Sequence, residues 1–207
     1  MAGQNDATKA QHRLVLNRAA GALFILAATA VALIAFGAFD PRPFGPVVST
    51  EQPGLQTVTG SGESVTPLAA PWPAFPDRLS IRLTAAHTTG ESDSGYGLTL
   101  GDSDGQLLVA LSPLGYVMVR EERTGTGPVT YMPWQTWPHV QSGTATNEIW
   151  LDVDNRDDQA AVTVRINREL LWQGKIHVTP QQVGLYQTTF GGPAAVDFRQ
   201  VEWFAEP

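Results

Sequence analysis

Cysteine is absent from the 207-residue chain. That excludes a disulfide framework, a thiolate metal site and a cysteine nucleophile, and it suits an exported domain that needs no oxidative staple. Basic charge is scarce as well. Thirteen Lys and Arg stand against 20 Asp and Glu, giving a net charge of −7 and a pI near 5.0. A nucleic-acid interface needs a basic patch, so that class of partner is excluded. The 4 histidines, His12, His87, His139 and His177, stand in separate segments with no zinc spacing among them. No Gly-x-Ser-x-Gly elbow occurs, and "GSGES" (Gly60–Ser64) lacks the Lys-Ser/Thr and the helix that a phosphate loop requires. Catalysis, metals and cofactors are left without a motif.

What is present begins with one long apolar run. From Ala19 to Phe39, "AAGALFILAATAVALIAFGAF", about 21 residues carry no charge, enough to cross a bilayer core of about 30 Å. Lys9, Arg13 and Arg18 precede the run and Asp40 follows it. This flank predicts a cytoplasmic N-terminus (residues 1–18), a retained membrane helix over 19–39, and an extracytoplasmic remainder. The alternative is a signal peptide cleaved near Ala35-Phe36-Gly37, but the run exceeds the usual apolar region of about 7–15 residues. Ala28 and Ala32 form a small-xxx-small step, and Gly21 extends a slim patch that would let another helix approach. A lipid-facing, alanine-rich helix accounts for the same residues more simply.

Glycine (20) and proline (15) are plentiful. Over residues 40–78 they combine with Ser and Thr without a sustained period, which reads as a semi-extended linker. From Leu79 the period becomes two. "LSIRLTAA", "YGLTLG", "QLLVALS", "GYVMVREE", "NEIWLDVD", "AAVTVRIN", "QVGLYQTT" and "AVDFRQVEWF" alternate or run apolar between dense turn signals. About ten short strands at this spacing predict an antiparallel all-β sandwich or barrel over residues 79–207.

The order of features resembles a known family. It is carried by "SGYGLTL" (Ser94–Leu100), the pair "QLLVALSPLGYVMVREE" (Gln106–Glu122), Trp134 and "SGTATNEIWLDV" (Ser142–Val153). "VTVRINRELL" (Val162–Leu171), "VGLYQ" (Val183–Gln187) and "AAVDFRQVEW" (Ala194–Trp203) complete it. Together they are similar to the concanavalin A-like lectin/glucanase jelly rolls, in the branch with laminin-G-like and keto-disaccharide-hydrolase-like domains. The resemblance implies a jelly-roll sandwich. It leaves the ligand open, because this fold hosts lectins, hydrolases and interaction domains. Arg168 stands where the family usually has Gly, so that hairpin turn need not be the usual type.

Two candidate sites follow. Glu148, Asp152 and Asp154 share one face of "NEIWLDVD", yet Trp150 fills the middle position where the jelly-roll glucanases need a carboxylate. The acidic face is therefore expected to be simply solvated, with Trp150 on the outer face or under a covering loop. "DSDG" (Asp102–Gly105) lacks the rest of a calcium loop and reads as an Asx turn. The richest aromatic stretch is "YMPWQTWPHV" (Tyr131–Val140), with Pro133 and Pro138 stiffening it. Tyr131, Trp134, Trp137 and His139 are expected first to cap the core and second to form a platform for protein or sugar. Three functions remain: a membrane-tethered, non-catalytic lectin-like binding module; a single-pass accessory subunit of a larger membrane complex; and a glycosidase-like enzyme. The expected partners are the bilayer and either a glycan or that complex.

Overall fold

The computed structural model describes residues 21–32 and 40–206. The chain divides into two units, Met1–Arg42 and Pro43–Pro207. In the first, residues 21–32 are helical. Leu23, Phe24, Ile25, Leu26 and Val31 project from that helix with 65–75% of their surface exposed. Gly21, Ala28 and Ala32 fall on one of its faces by their i+4 and i+7 spacing. No helix among the described residues is long and apolar enough to cross a membrane. The rest of the expected span (Ala19, Ala20 and residues 33–39), the flank Lys9, Arg13 and Arg18, and the alternative cleavage site lie outside the described residues.

The second unit is all-β, built from two antiparallel sheets. Thirteen strands run in chain order as β1 (Val47–Glu51), β2 (Gly54–Val58), β3 (Gly62–Pro67), β4 (Arg78–Gly90), β5 (Ser94–Gly101) and β6 (Gly105–Leu111), then β7 (Tyr116–Arg123), β8 (Val129–Thr136), β9 (Asn147–Asp154), β10 (Ala161–Ile166), β11 (Glu169–Lys175), β12 (Gln182–Thr189) and β13 (Ala194–Ala205). One sheet is ordered β1-β13-β4-β9-β10-β11, with β2 also on β13, and the other β3-β12-β5-β6-β7-β8. The period-two sequences sort their apolar residues onto the facing surfaces. Leu79, Ile81 and Leu83 of β4 and Ile149, Leu151 and Val153 of β9 meet Leu98, Leu107, Val109 and Val119 of the second sheet in one core, all fully buried. Such alternation is what two sheets packed face to face require.

The segment expected to be a linker is largely part of the sandwich. β1 and β2 add to the free edge of β13, and β3 adds to β12. Residues 68–77 then return to the core, where Leu68, Trp72 and Phe75 pack and Trp72 stands edge-on to Trp203 at 5.5 Å. Burial explains why the pattern looked structureless: all six residues of β3 are exposed, so no apolar period marks it. Backbone ladder bonds to β12 hold it, and these impose no side-chain period. The β10–β11 hairpin supplies a second correction. Asn167 and Arg168 have φ of 52° and 73°, the paired left-handed conformation of a type I′ turn, so Arg168 occupies the usual turn without glycine.

Candidate functional site

Strand β8 lies at the edge of its sheet, and its pairing with β7 shifts register on either side of Val119. The irregularity breaks the alternation of side chains. Tyr131 and Met132 both pack against the main core, whereas Trp134 joins a separate cluster with Leu108, Ala110, Met118 and Tyr186. Those four residues alternate with the core residues of β6, β7 and β12, so they occupy the outer face of the sheet. Gly95 makes room for the indole: a Cβ there would stand 2.9 Å from Trp134 Cη2.

Beside Trp134 opens a cavity of about 530 Å³, lined by Asp93, Ser94, Ser112, Leu114, Tyr116, Trp134 and Phe190. That volume lies within the about 300–1,000 Å³ of small-ligand sites. Phe190 stands edge-on to Trp134 at 6.5 Å and is 57% exposed, with Leu114 and Tyr116 at 50% and 38%. The polar groups converge from turns. Ser94 is 1% exposed and its Oγ has no hydrogen-bond partner among the described residues. A buried hydroxyl left unpaired is costly, so it is met by a water or by a ligand group. Ser112 Oγ accepts the Leu114 N–H at 3.2 Å and keeps its own proton free to donate. The Asp93 backbone carbonyl accepts from Phe190 N at 3.1 Å, tying the β12–β13 connection to the rim. Asp93 is the single acid of this lining.

The four aromatic and imidazole candidates do not share one surface. Trp134 faces the cavity. Tyr131 lies on the other side of β8, where its hydroxyl donates to Glu121 Oε2 at 2.5 Å and its ring leans on Trp172 at 4.8 Å. Burial, reinforced by the Glu121 carboxylate, holds the Tyr131 hydroxyl well above the ordinary phenol range. Glu121 is fully buried and also accepts from His177 N at 3.1 Å, with Arg123 Nε 3.3 Å from its other oxygen. Trp137 packs against the core edge, and His139 is exposed beside it at a ring distance of 5.7 Å. The stretch is thus divided: Tyr131 and Trp137 cap the core, and Trp134 alone presents to a cavity. Sequence inspection missed Ser94, Tyr116 and Phe190, because strand order alone brings "SPLGY" and "TTFGG" to one end of the sheet. An aromatic next to a glycine turn was the only local signal.

The acidic face of β9 belongs to the other sheet and differs from expectation. Trp150 is 1% exposed and Asp152 6%, so this surface is not simply solvated. Trp150 Nε1 donates to Asp152 Oδ1 at 2.7 Å, Ser80 Oγ donates to the same oxygen at 2.5 Å, and Arg165 pairs with Oδ2. Arg82 lies 3.5 Å from Glu148 and 3.6 Å from Glu202. Each carboxylate is thereby tied to a guanidinium. At Asp102–Gly105 the carboxylate Oδ1 of Asp102 accepts from Asp104 N at 2.8 Å and Gly105 N at 3.2 Å, an Asx-type turn. No group of three His, Asp or Glu that could hold a metal ion occurs among the described residues.

No family model matches the chain, and no curated protein matches it. Among solved structures, sheep galectin-11 is 8% identical with a TM-score of 0.46, over 71% of this chain and 99% of that one. The carbohydrate-binding module CBM66 from Bacillus subtilis is 12% identical with a TM-score of 0.43, over 76% and 91%. A GH43 protein from Bacillus licheniformis is 15% identical with a TM-score of 0.44, and the chain spans 28% of its length. At these identities and scores the likeness carries no information on ligand or activity.

Proposed function

We propose that the chain is a membrane-tethered, non-catalytic glycan-binding module, presented outside the cytoplasm, whose ligand stacks on Trp134 with Tyr116 and Phe190 beside it. The observation that carries this reading is the unpaired, buried Ser94 hydroxyl in an aromatic-lined cavity. Aromatic faces suit the apolar face of a pyranose, and a few convergent hydroxyl and carboxylate groups suit its ring hydroxyls. The non-catalytic half of the reading is supported by the acids. Glycoside hydrolysis uses a pair of carboxyl groups about 5–9.5 Å apart, whereas Asp93 is the single carboxylate lining this cavity. Glu148 and Asp152 lie on the other sheet, engaged with Arg82 and Arg165. The tether rests on the uncharged run over residues 19–39 and on the exposed Leu23, Phe24, Ile25 and Leu26 of the helix, which need an apolar cover.

The test is calorimetric titration of the full chain, held in a detergent without sugar headgroups, against gluco-, xylo-, arabino- and galacto-oligosaccharides. Binding of one class in the micromolar-to-millimolar range is expected, lost in Trp134→Ala and kept in Glu148→Gln. Retention of binding in Trp134→Ala would move the site elsewhere. Turnover of a bound sugar, abolished in Glu148→Gln, would restore the glycosidase alternative.

A further inference from the structure

The outer face around Trp134 is closed on one side by the protein itself. Arg120 of β7 and Glu63 of β3 belong to strands four places apart in the order β3-β12-β5-β6-β7. In a flat sheet, four steps separate strand axes by about 19 Å. Yet Arg120 Nη2 stands 3.0 Å from Glu63 Oε1, and Tyr186 of the intervening β12 donates its hydroxyl to the same oxygen at 2.9 Å. The two side chains therefore meet above the face, and the sheet bows so that the face is concave. Glu122 holds Arg120 from the other side at 2.7 Å. Beneath this bridge Leu108, Ala110, Met118 and Tyr186 are 0–3% exposed although they point away from the interlayer core. Burial pushes the Tyr186 hydroxyl up, and the adjoining Glu63 carboxylate adds to it, as a covered rather than wetted phenol requires.

The consequence concerns ligand length. The cavity opens to solvent past Leu114 and Phe190, and on its inner side Trp134 stands against the Tyr186 and Met118 cluster. A polymer lying along the whole concave face would have to occupy the space held by Arg120, Glu63 and Tyr186. We infer that the Arg120–Glu63 bridge, carried on the N-terminal strand β3, makes this a site for the terminus of a glycan chain and excludes chain interiors. This rests on the glycan reading of the same cavity. Arg120 and Glu63 act here as a wall that sets specificity, not as groups that touch the sugar.

The test uses the full chain and four insoluble or immobilised probes, β-glucan, xylan, arabinan and galactan, each intact and after limited cutting. For a polysaccharide that binds, cutting the mean chain length about tenfold should raise binding per unit mass about tenfold, because ends rise in proportion. In Arg120→Ala and in Glu63→Ala that ratio should fall towards about one as interiors gain access, and Glu63→Gln serves where a variant is poorly folded by circular dichroism. A ratio near one for the unmodified protein refutes terminus selection while leaving glycan binding intact. A ratio that stays near ten in well-folded Arg120→Ala and Glu63→Ala removes the bridge as its cause. Absence of binding to any probe, intact or cut, refutes both the glycan reading and this inference.

Discussion

Replacing Trp150 tests the outer face of the first sheet most directly. Its cross-strand partners are Arg82 on β4 and Arg165 on β10, whose guanidinium carbons lie 4.6 and 5.4 Å from the indole ring. Trp150→Ala removes a buried aromatic, which costs about 3–5 kcal/mol. It also removes two cation–π contacts at partly exposed arginines, about 0.5–1 kcal/mol each. The expected loss is about 4–7 kcal/mol, against a total stability of about 5–15 kcal/mol. At about 2–4 °C per kcal/mol for a unit of this size, Tm should fall by about 8–28 °C. Trp150→Phe keeps a ring between the arginines and loses the indole donor to Asp152. Because Ser80 and Arg165 still satisfy that carboxylate, the cost should be about 1.5–3 kcal/mol. Trp134→Ala, on a half-buried residue, should cost under about 2 kcal/mol. Urea unfolding of the three variants, followed by circular dichroism, gives the order. If Trp134→Ala proves costlier than Trp150→Ala, the covered, ion-paired outer face described here is wrong.

Other outcomes follow from the same contacts. Glu121→Ala leaves the Tyr131 hydroxyl and the His177 N–H without their acceptor and should cost about 1–3 kcal/mol in urea unfolding. Tyr96, Tyr131 and Tyr186 all have hydroxyls raised above the ordinary phenol value, chiefly by burial. Their protonated forms are favoured in the folded state, so this contribution is complete below about pH 10 and is lost as pH rises further. Alkaline melting curves should show that decline, and Tyr131→Phe with Tyr186→Phe should flatten it. A chain starting at Leu79 should aggregate or unfold, because the edges of β12 and β13 lose β1–β3, while one starting at Pro43 should remain folded by size-exclusion chromatography. Gly95→Ala should push the Trp134 ring and the Thr188 methyl, costing about 1–3 kcal/mol of stability and weakening sugar binding by about 1 kcal/mol, about fivefold in Kd.

The amino-acid order alone determined the all-β class, because strand geometry alternates side chains with a period of two. It also excluded disulfides, since the chain has no cysteine. Tertiary structure decided the rest. β1–β3 became part of the sandwich because an edge strand is held by backbone pairing, which imposes no side-chain pattern on its sequence. Trp150 became buried on an outward-facing row because arginines from the two neighbouring strands close over it, a fact of register and not of local period. The cavity exists only because strand order brings Ser94, Tyr116, Trp134 and Phe190, spread over nearly a hundred residues, to one end of a bowed sheet. Local spacing fixes which way a side chain points; which other side chains it meets is set by long-range pairing, and that pairing was not visible in any single stretch.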